Sequence, residues 1–245
     1  MSEAVLILGA TSAIARATAA AFAARGNALY LASRDEEELR RIAADLRLRY
    51  GVEVHYGLFD AEATDTHEAF LKSVVTAMPN LSGMVLAFSY LGDQQAARDF
   101  SVGVKVIASN FTGAASILSH CANYFEPLQR GFIIGISSVA GDRGRQSNYV
   151  YGAAKGALSL YLQGLRNRLY ASGVRVITIK PGFVDTAMTY GLPGLFLVAS
   201  PQAIGERIVA TLSKSADVVY LPWFWRYIML IIKHIPEPIF KRMKL

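Results

Sequence analysis

Tyr151 and Lys155 stand four residues apart at the head of a pattern (Ala153, Ala154, Leu158, Tyr161, Leu162, Leu165) with the period of a helix that has an apolar face. Both side chains therefore leave that helix on one side, one turn apart. An ammonium beside a phenol favours the phenolate and draws the phenol down from its ordinary pKa of about 10. A ring so placed can give and recover a proton, which is the work of a general acid in carbonyl reduction. The same spacing also fits a surface lysine beside a packed tyrosine, so the pair takes its meaning from its surroundings.

Those surroundings alternate throughout. Short apolar runs rich in β-branched residues, near 4–9, 28–32, 52–57, 83–88, 131–137, 174–180 and 217–220, are separated by stretches of helical period. Each run reads as a strand buried on both faces. Such alternation predicts an α/β fold: a doubly wound, Rossmann-type parallel sheet of about seven strands, with helices on both faces and right-handed crossovers. No internal repeat, low-complexity segment or Pro/Gly-rich linker divides the 245 residues. One dinucleotide-binding domain over 1–245 is expected, including an apolar, basic tail at 222–245.

Composition narrows the function classes. Apolar residues make up 53% and charged residues 18%, yet no run of 18 or more apolar residues occurs, so a spanning protein is not expected. The chain opens with Glu3 and runs straight to Gly9 without a basic start, which argues against a signal peptide. Cys121 is the only cysteine, which excludes an internal disulfide and suits a reducing cytoplasm. His55, His67, His120 and His234 lack ligand spacing, and no metal site is expected. The net charge of +6 is concentrated at the end: Arg226, Lys233, Lys241, Arg242 and Lys244 face only Glu237 in residues 222–245. A balanced remainder argues against a nucleic-acid-binding face.

The first strand, Val5-Leu-Ile-Leu, runs into Gly9-Ala10-Thr11-Ser12-Ala13-Ile14 and an alanine-rich helix. Backbone N–H groups at such a helix start receive a pyrophosphate. Of an expected Gly-x-x-x-Gly-x-Gly only Gly9 is present, with Ala13 and Ala15 at the other places. Ser33 and Arg34 end the second strand and suit a 2′-phosphate, which points to NADPH/NADP over NAD. Asp35 leads into Glu36, Glu37 and Glu38, acids that oppose a helix dipole. Arg16 either assists the cofactor or lies on a solvated helix face. Asp60 either accepts from an adenine amine or begins a loop. Ala87-Phe88-Ser89 leads into Tyr90-Leu-Gly92-Asp93-Gln94 on the face where ligands bind. Asn110 sits in the apolar middle of a helix expected over 101–126 and needs partners, from a helix bulge, an active-site water or the backbone. Pro181-Gly182-Phe-Val184-Asp-Thr186 closes the sixth strand and either wraps the nicotinamide amide or makes a plain turn.

Together the Gly9 turn, Asn110, Ser138, Tyr151-x-x-x-Lys155 and Pro181-Gly182-x-Val184-x-Thr186 resemble, in order and spacing over essentially the whole chain, the short-chain dehydrogenase/reductase family. The resemblance implies an NAD(P)-dependent oxidoreductase acting on CH–OH groups. It implies Tyr151 as acid/base, Lys155 lowering its pKa and holding the nicotinamide ribose, Ser138 orienting the carbonyl, and Asn110 anchoring a water in the proton relay. It further implies cofactor contacts at Gly9, Thr11, Ser12, Ala13, Ile14, Ser33, Arg34, Asp60, Ala87, Phe88, Lys155, Pro181, Gly182, Val184 and Thr186. A homo-oligomer, dimer or tetramer, is implied through the helices at 101–126 and 149–171. The chain departs from the family where Asn-Asn-Ala-Gly is replaced by Ala87-Phe88-Ser89-Tyr90, and at the two alanines of the first turn.

Within that family, Ala87-Phe88-x-x-Leu91-Gly92-Asp93-Gln94, Asn148-Tyr-Val-Tyr-Gly and the ending from Pro222-Trp to Pro238-Ile-Phe-Lys-Arg-Met are similar to decaprenylphosphoryl-2-keto-erythro-pentose reductases. Those enzymes reduce a keto sugar carried on a polyprenyl phosphate. Gly92, Asp93 and Gln94 then read as sugar contacts or as a simple loop. Arg143 and Arg145 read as phosphate ligands or as solvated loop residues, and Leu192–Val198 as an apolar lid or a buried segment. The 222–245 tail packs on a partner subunit or lies in a membrane interface, which would place the protein in the cytoplasm at the inner face of a membrane. Two other functions stay open: a reductase or dehydrogenase of a fatty acyl, steroid-like or other hydrophobic alcohol or ketone, and a catalytically silent nucleotide sensor. The joint presence of Asn110, Ser138, Tyr151 and Lys155 speaks against silence.

Overall fold

The computed structural model describes residues 3–93, 99–191 and 196–243. Its strands are β1 (Ala4–Leu8), β2 (Ala28–Ser33), β3 (Val54–Leu58), β4 (Leu81–Leu86), β5 (Phe132–Ile136), β6 (Arg175–Pro181) and β7 (Val218–Leu221). They form one sheet in the order β3-β2-β1-β4-β5-β6-β7, with every neighbouring pair parallel. Order reverses between β1 and β4, so their carboxyl ends open the crevice in which a doubly wound sheet binds its ligand.

Period-two alternation divides the core in two. Ala4, Leu6 and Leu8 of β1 face one side with Met84, Ile117, Phe125 and Leu162, while Val5 and Ile7 face the other with Phe22, Leu31, Leu39 and Ile208. Helices α3 (His67–Ala77), α5 (Gly113–Leu128) and α6 (Tyr149–Leu169) cover the first side. Helices α1 (Ala13–Ala23), α2 (Glu36–Tyr50) and α7 (Pro201–Ala210) cover the second. The expectation of burial on both faces holds for the inner strands but not for the edges: β3 and β7 are largely half-buried or exposed. Each has a neighbour on one side only.

The helix expected over 101–126 is broken in the middle. Helix α4 (Phe100–Ile107) passes through a π-helical turn, Ala108–Thr112, into α5. The whole run Phe100–Leu128 is long and apolar enough, by length and composition, to cross a bilayer. Lys105, Asn110 and His120 interrupt it, so it is not an unbroken apolar run. Ile117, Leu118, Cys121 and Phe125 are instead buried against the sheet. Burial pushes the Cys121 thiol up to about 12. His67 is also a core residue, with its ring nitrogens on Ser116 Oγ and the Asp60 carbonyl, each at 2.9 Å. Beyond β7 the chain forms α8 (Trp225–His234) and α9 (Glu237–Phe240).

Candidate active site

Gly9 ends β1 with φ +78°, a conformation that L side chains rarely adopt. A Cβ there would also lie 2.5 Å from the Phe88 backbone nitrogen, so this turn requires glycine on both counts. The chain then enters α1, where Ser12 caps the helix by accepting from the Ala15 N–H at 3.3 Å. Ala15 is fully buried in the core, so the loss of the family's third glycine is absorbed by packing. Ala13 lines the cleft.

Two cavities that share Thr11, Ser12 and Ser89 follow the ends of β1 and β4. The smaller, of about 300 Å³, is lined by Gly9, Ser33, Arg34, Asp35, Asp60 and Phe88 among others. Arg34 is exposed on its rim and makes no hydrogen bond or ion pair among the described residues. Ser33 Oγ accepts from the Asp35 N–H at 3.2 Å, and Asp35 caps α2 by accepting from the Glu38 N–H at 3.0 Å. Asp35 thus serves the helix, as its acidic neighbours imply. Asp60 Oδ1 accepts from Glu62 N–H within its own loop at 3.0 Å. Arg16 donates to the Thr11 carbonyl at 3.0 Å and pairs with Glu38 at 2.5 Å, which ties the first helix to the second.

The larger cavity, of about 510 Å³, brings together Thr11, Ser12, Ala13, Ile14, Ala87, Ser138, Tyr151, Lys155, Pro181, Gly182, Val184 and Thr186. Tyr151 is 7% exposed. Its hydroxyl lies 3.3 Å from Ser89 Oγ and also bonds to the Ser138 side chain. Ser138 Oγ accepts from the Ala140 N–H at 3.1 Å, which fixes its direction at the start of the Val139–Gly141 turn. One turn along α6, Lys155 is fully buried, with Nζ 5.8 Å from the Tyr151 ring centroid and donating to the Ile136 carbonyl at 3.2 Å. Ser137 donates to the Lys155 carbonyl at 2.9 Å, binding β5 to the helix.

The electrostatics differ from expectation. Burial pushes the Tyr151 phenol above its ordinary value, and hydrogen bonding with Ser89 and Ser138 draws it part of the way back. The lowering expected from Lys155 does not prevail, because burial takes the amine itself from 10.5 down to about 7. An amine that is largely neutral above pH 7 exerts little field on its neighbour. For stability the sign follows: the folded state resists the proton that the unfolded chain accepts, so the penalty is full below about pH 7 and fades as pH rises towards 10.5. Lys155→Met is therefore expected to raise the melting temperature of the dinucleotide-free protein most below about pH 7, with the gain shrinking towards pH 10. A gain independent of pH would remove the buried-amine account.

Asn110 lies in the π-helical turn, the bulge that its burial called for. Its Nδ2 donates to the Tyr90 and Val106 carbonyls at 2.6 and 2.8 Å, and its Oδ1 accepts from Ser89 Oγ at 2.9 Å and the Tyr90 N–H at 3.2 Å. Two donors and two lone pairs are all the amide has. The side-chain amide is thus fully engaged, and its connection to Tyr151 runs through Ser89. Sequence reasoning missed Ser89 as a partner of the tyrosine. Its signal lay in the departure from Asn-Asn-Ala-Gly, which puts a hydroxyl where the family has a methyl.

The expected substrate contacts fare differently. Arg143 is not a phosphate ligand. It donates to the carbonyls of Ile232, Lys233 and Ile235 at 2.6–3.1 Å, pairs with Glu237 at 2.9 Å and stacks 3.7 Å above the Phe240 ring. A cation satisfying the C-terminal end of α8 is in a favourable field and is already committed. Arg145 is half-buried and its Nε has no partner among the described residues. Burial lowers its guanidinium and Asp142 raises it. Gly92 (φ +67°) packs towards Val106, and neither it nor Asp93 lines the two cavities. Gln94 and residues 192–195 of the expected lid lie outside the described residues, and Phe196, Leu197 and Val198 are exposed rather than buried.

A second polar cluster, which sequence reasoning did not find, underlies the cavity wall. Lys180 Nζ pairs with Asp142, whose other oxygen accepts from Tyr220 Oη at 2.6 Å. The side chains of Lys180 and Asp142 are 13% and 3% exposed. Burial, reinforced by Asp142, pushes the Tyr220 phenol up. These three residues join the turn after Ser138, the end of β6 before Gly182, and β7. Above them Trp225 packs with Val139 and Met229 and lies across Gly182, where a Cβ would stand 1.9 Å from the indole nitrogen.

A parallel seven-stranded sheet with this Tyr, Ser and Lys at the carboxyl ends of its strands defines a nucleotide-dependent oxidoreductase of the short-chain type. Residues 3–193 match the family model described as short chain dehydrogenase, and the chain belongs to that family. It is 34% identical over 240 residues to an uncharacterized oxidoreductase of Mycobacterium tuberculosis, covering 98% of this chain and 96% of that protein. A second uncharacterized oxidoreductase, from Streptomyces coelicolor, is 34% identical over 245 residues and covers 98% and 95% of the two chains. Among solved structures, a short-chain dehydrogenase from Sphingobium yanoikuyae in complex with NADPH superposes with a TM-score of 0.79 at 24% identity, covering 96% of each chain.

Proposed function

We propose that this protein is an NADPH-dependent reductase of a carbonyl group on an amphiphilic substrate, in which Tyr151 protonates the carbonyl oxygen. Its leading substrate class is a keto sugar carried on a polyprenyl phosphate. The observation that supports the reading is the meeting of the Tyr151 hydroxyl, Ser138 and the buried Lys155 in one cavity at the sheet's crevice. A dinucleotide suits the residues present: the Gly9 turn opens at a capped helix start, and Arg34, unpaired among the described residues, stands on the rim of the adjoining cavity. A bound reduced nicotinamide supplies the hydride. Ser138 and Ser89 flank the phenol hydroxyl at the cavity, Lys155 lies one turn along α6, and Arg34 would receive the 2′-phosphate.

Met188 on the cavity wall and exposed Phe196, Leu197 and Val198 offer apolar surface to the substrate's lipid part. With Arg143 committed elsewhere, Arg145 is the one of the two expected loop arginines left for a phosphate, and it lines neither cavity. That favours, as second reading, a fatty acyl or steroid-like ketone that needs none. The protein acts in the cytoplasm as a homodimer or tetramer built through α5 and α6, in keeping with its family.

Loss of NADPH absorbance with a lipid-linked keto sugar, a long-chain ketone and a short water-soluble ketone tests the proposal. The lipid-linked substrate is expected to show the highest kcat/KM. Arg34→Ala is expected to lower kcat/KM for NADPH by roughly tenfold to a hundredfold, the worth of a charged hydrogen bond of about 1.5–3 kcal/mol, and to spare NADH. Equal effects on both cofactors would refute the 2′-phosphate assignment, and no turnover with any ketone would favour a nucleotide sensor.

A further inference from the structure

Helix α8 has two apolar faces. Trp225 and Met229 are buried, with Ile228 and Ile232 packed beside them against Val139 and Phe183. On the opposite side, Tyr227, Leu230 and Ile231, preceded by Trp223, share one face at 3.6-residue spacing, and each is more than half exposed. The core under α8 explains only the inner face.

Charge identifies what covers the outer one. Arg226 and Lys233, both exposed and seven residues apart, run along one edge of the outward stripe. Lys241 and Arg242 are exposed just beyond α9, next to exposed Ile239. The one acid in 222–245, Glu237, is taken by Arg143 from outside the segment. An apolar face with cations at its edge and aromatic rings at one end fits a layer that is greasy within and anionic at its surface. A second copy meeting this face across a twofold axis would set cation against cation with no acid between. Ten residues are too few to span, so the helix must lie in the plane.

We propose that α8 docks the protein flat on the surface of an anionic phospholipid bilayer, with Trp223, Tyr227, Leu230 and Ile231 in the headgroup boundary and Arg226 and Lys233 among the headgroups. Phe196 lies tilted against Trp225 on the inner side of α8, at 5.5 Å between ring centroids. Gly182, beneath Trp225, lines the catalytic cavity, so the inner face of the docking helix borders the wall of that cavity. This goes beyond the reductase reading, because it rests on the faces of α8 alone.

Flotation of the full-length protein with phosphatidylcholine vesicles, with and without phosphatidylglycerol, tests it, alongside turnover of a water-soluble ketone. Binding is expected to the anionic vesicles and to weaken with salt. Arg226→Gln with Lys233→Gln is expected to weaken it roughly thirtyfold, from about 1 kcal/mol per cation. Leu230→Gln with Ile231→Gln is expected to abolish flotation while thermal stability and ketone turnover stay at the parent's level. Failure of the parent to bind anionic vesicles, or undiminished binding of the Leu230/Ile231 variant, overturns the proposal. So does a dimer that the same variant dissociates in the absence of any vesicle binding. Turnover is read separately, so an inactive protein that floats leaves the docking proposal standing.

Discussion

Tyr151→Phe is expected to lower kcat by about 10²–10⁴-fold while dinucleotide affinity and melting temperature stay near the parent's. The ring keeps its packing against Val106, Ala140 and Val150. Removing the hydroxyl strands no buried partner, because Ser89 Oγ retains its bond to Asn110 and Ser138 Oγ still accepts from the Ala140 N–H. What disappears is the proton donor facing the cavity. Single-turnover kinetics with calorimetric dinucleotide binding would check both halves. A variant that kept most of its kcat would end the general-acid assignment, whereas a large fall in melting temperature would mean that the phenol served the fold instead.

Asp142→Ala is expected to cost about 3–5 kcal/mol, which for a chain of this size lowers the melting temperature by about 6–20 °C. The carboxylate is the partner of both Lys180 and Tyr220, and without it the Lys180 ammonium is left beneath the cavity wall, 5.6 Å from the Tyr220 ring centroid, with no counterion. The loss should be largely relieved by Asp142→Leu with Lys180→Met, since an apolar pair of similar volume often replaces a buried ion pair at little cost. Thermal unfolding of the single and double variants reads the difference. If Asp142→Ala melted within a degree or so of the parent, the cluster would be wet enough to contribute little.

Relations between residues close in the chain are legible in the sequence itself. Tyr151 and Lys155 share a helix face because four residues make about one turn, and Gly9 follows a strand because only glycine tolerates that turn. The inner strands stand out as apolar β-branched runs, because both their faces are covered. What the chain conceals is what meets across long separations. Arg143 finds its partners 89–94 residues away, and Asp142 reaches Lys180 and Tyr220 across 38 and 78 residues. Composition marks such residues as polar but says nothing of the group opposite. The charge state of the Lys155 amine is hidden for a related reason: spacing reveals its neighbour, but only burial determines how readily it holds a proton.

Trp225 fills the space that any side chain at residue 182 would need. Residue 182 is therefore not free to gain a side chain on its own over evolutionary time. A descendant that enlarged residue 182 would have to shrink or reposition the indole in the same lineage. Adaptation of this cavity to new substrates is thus tied to inherited changes in a helix that begins 43 residues downstream.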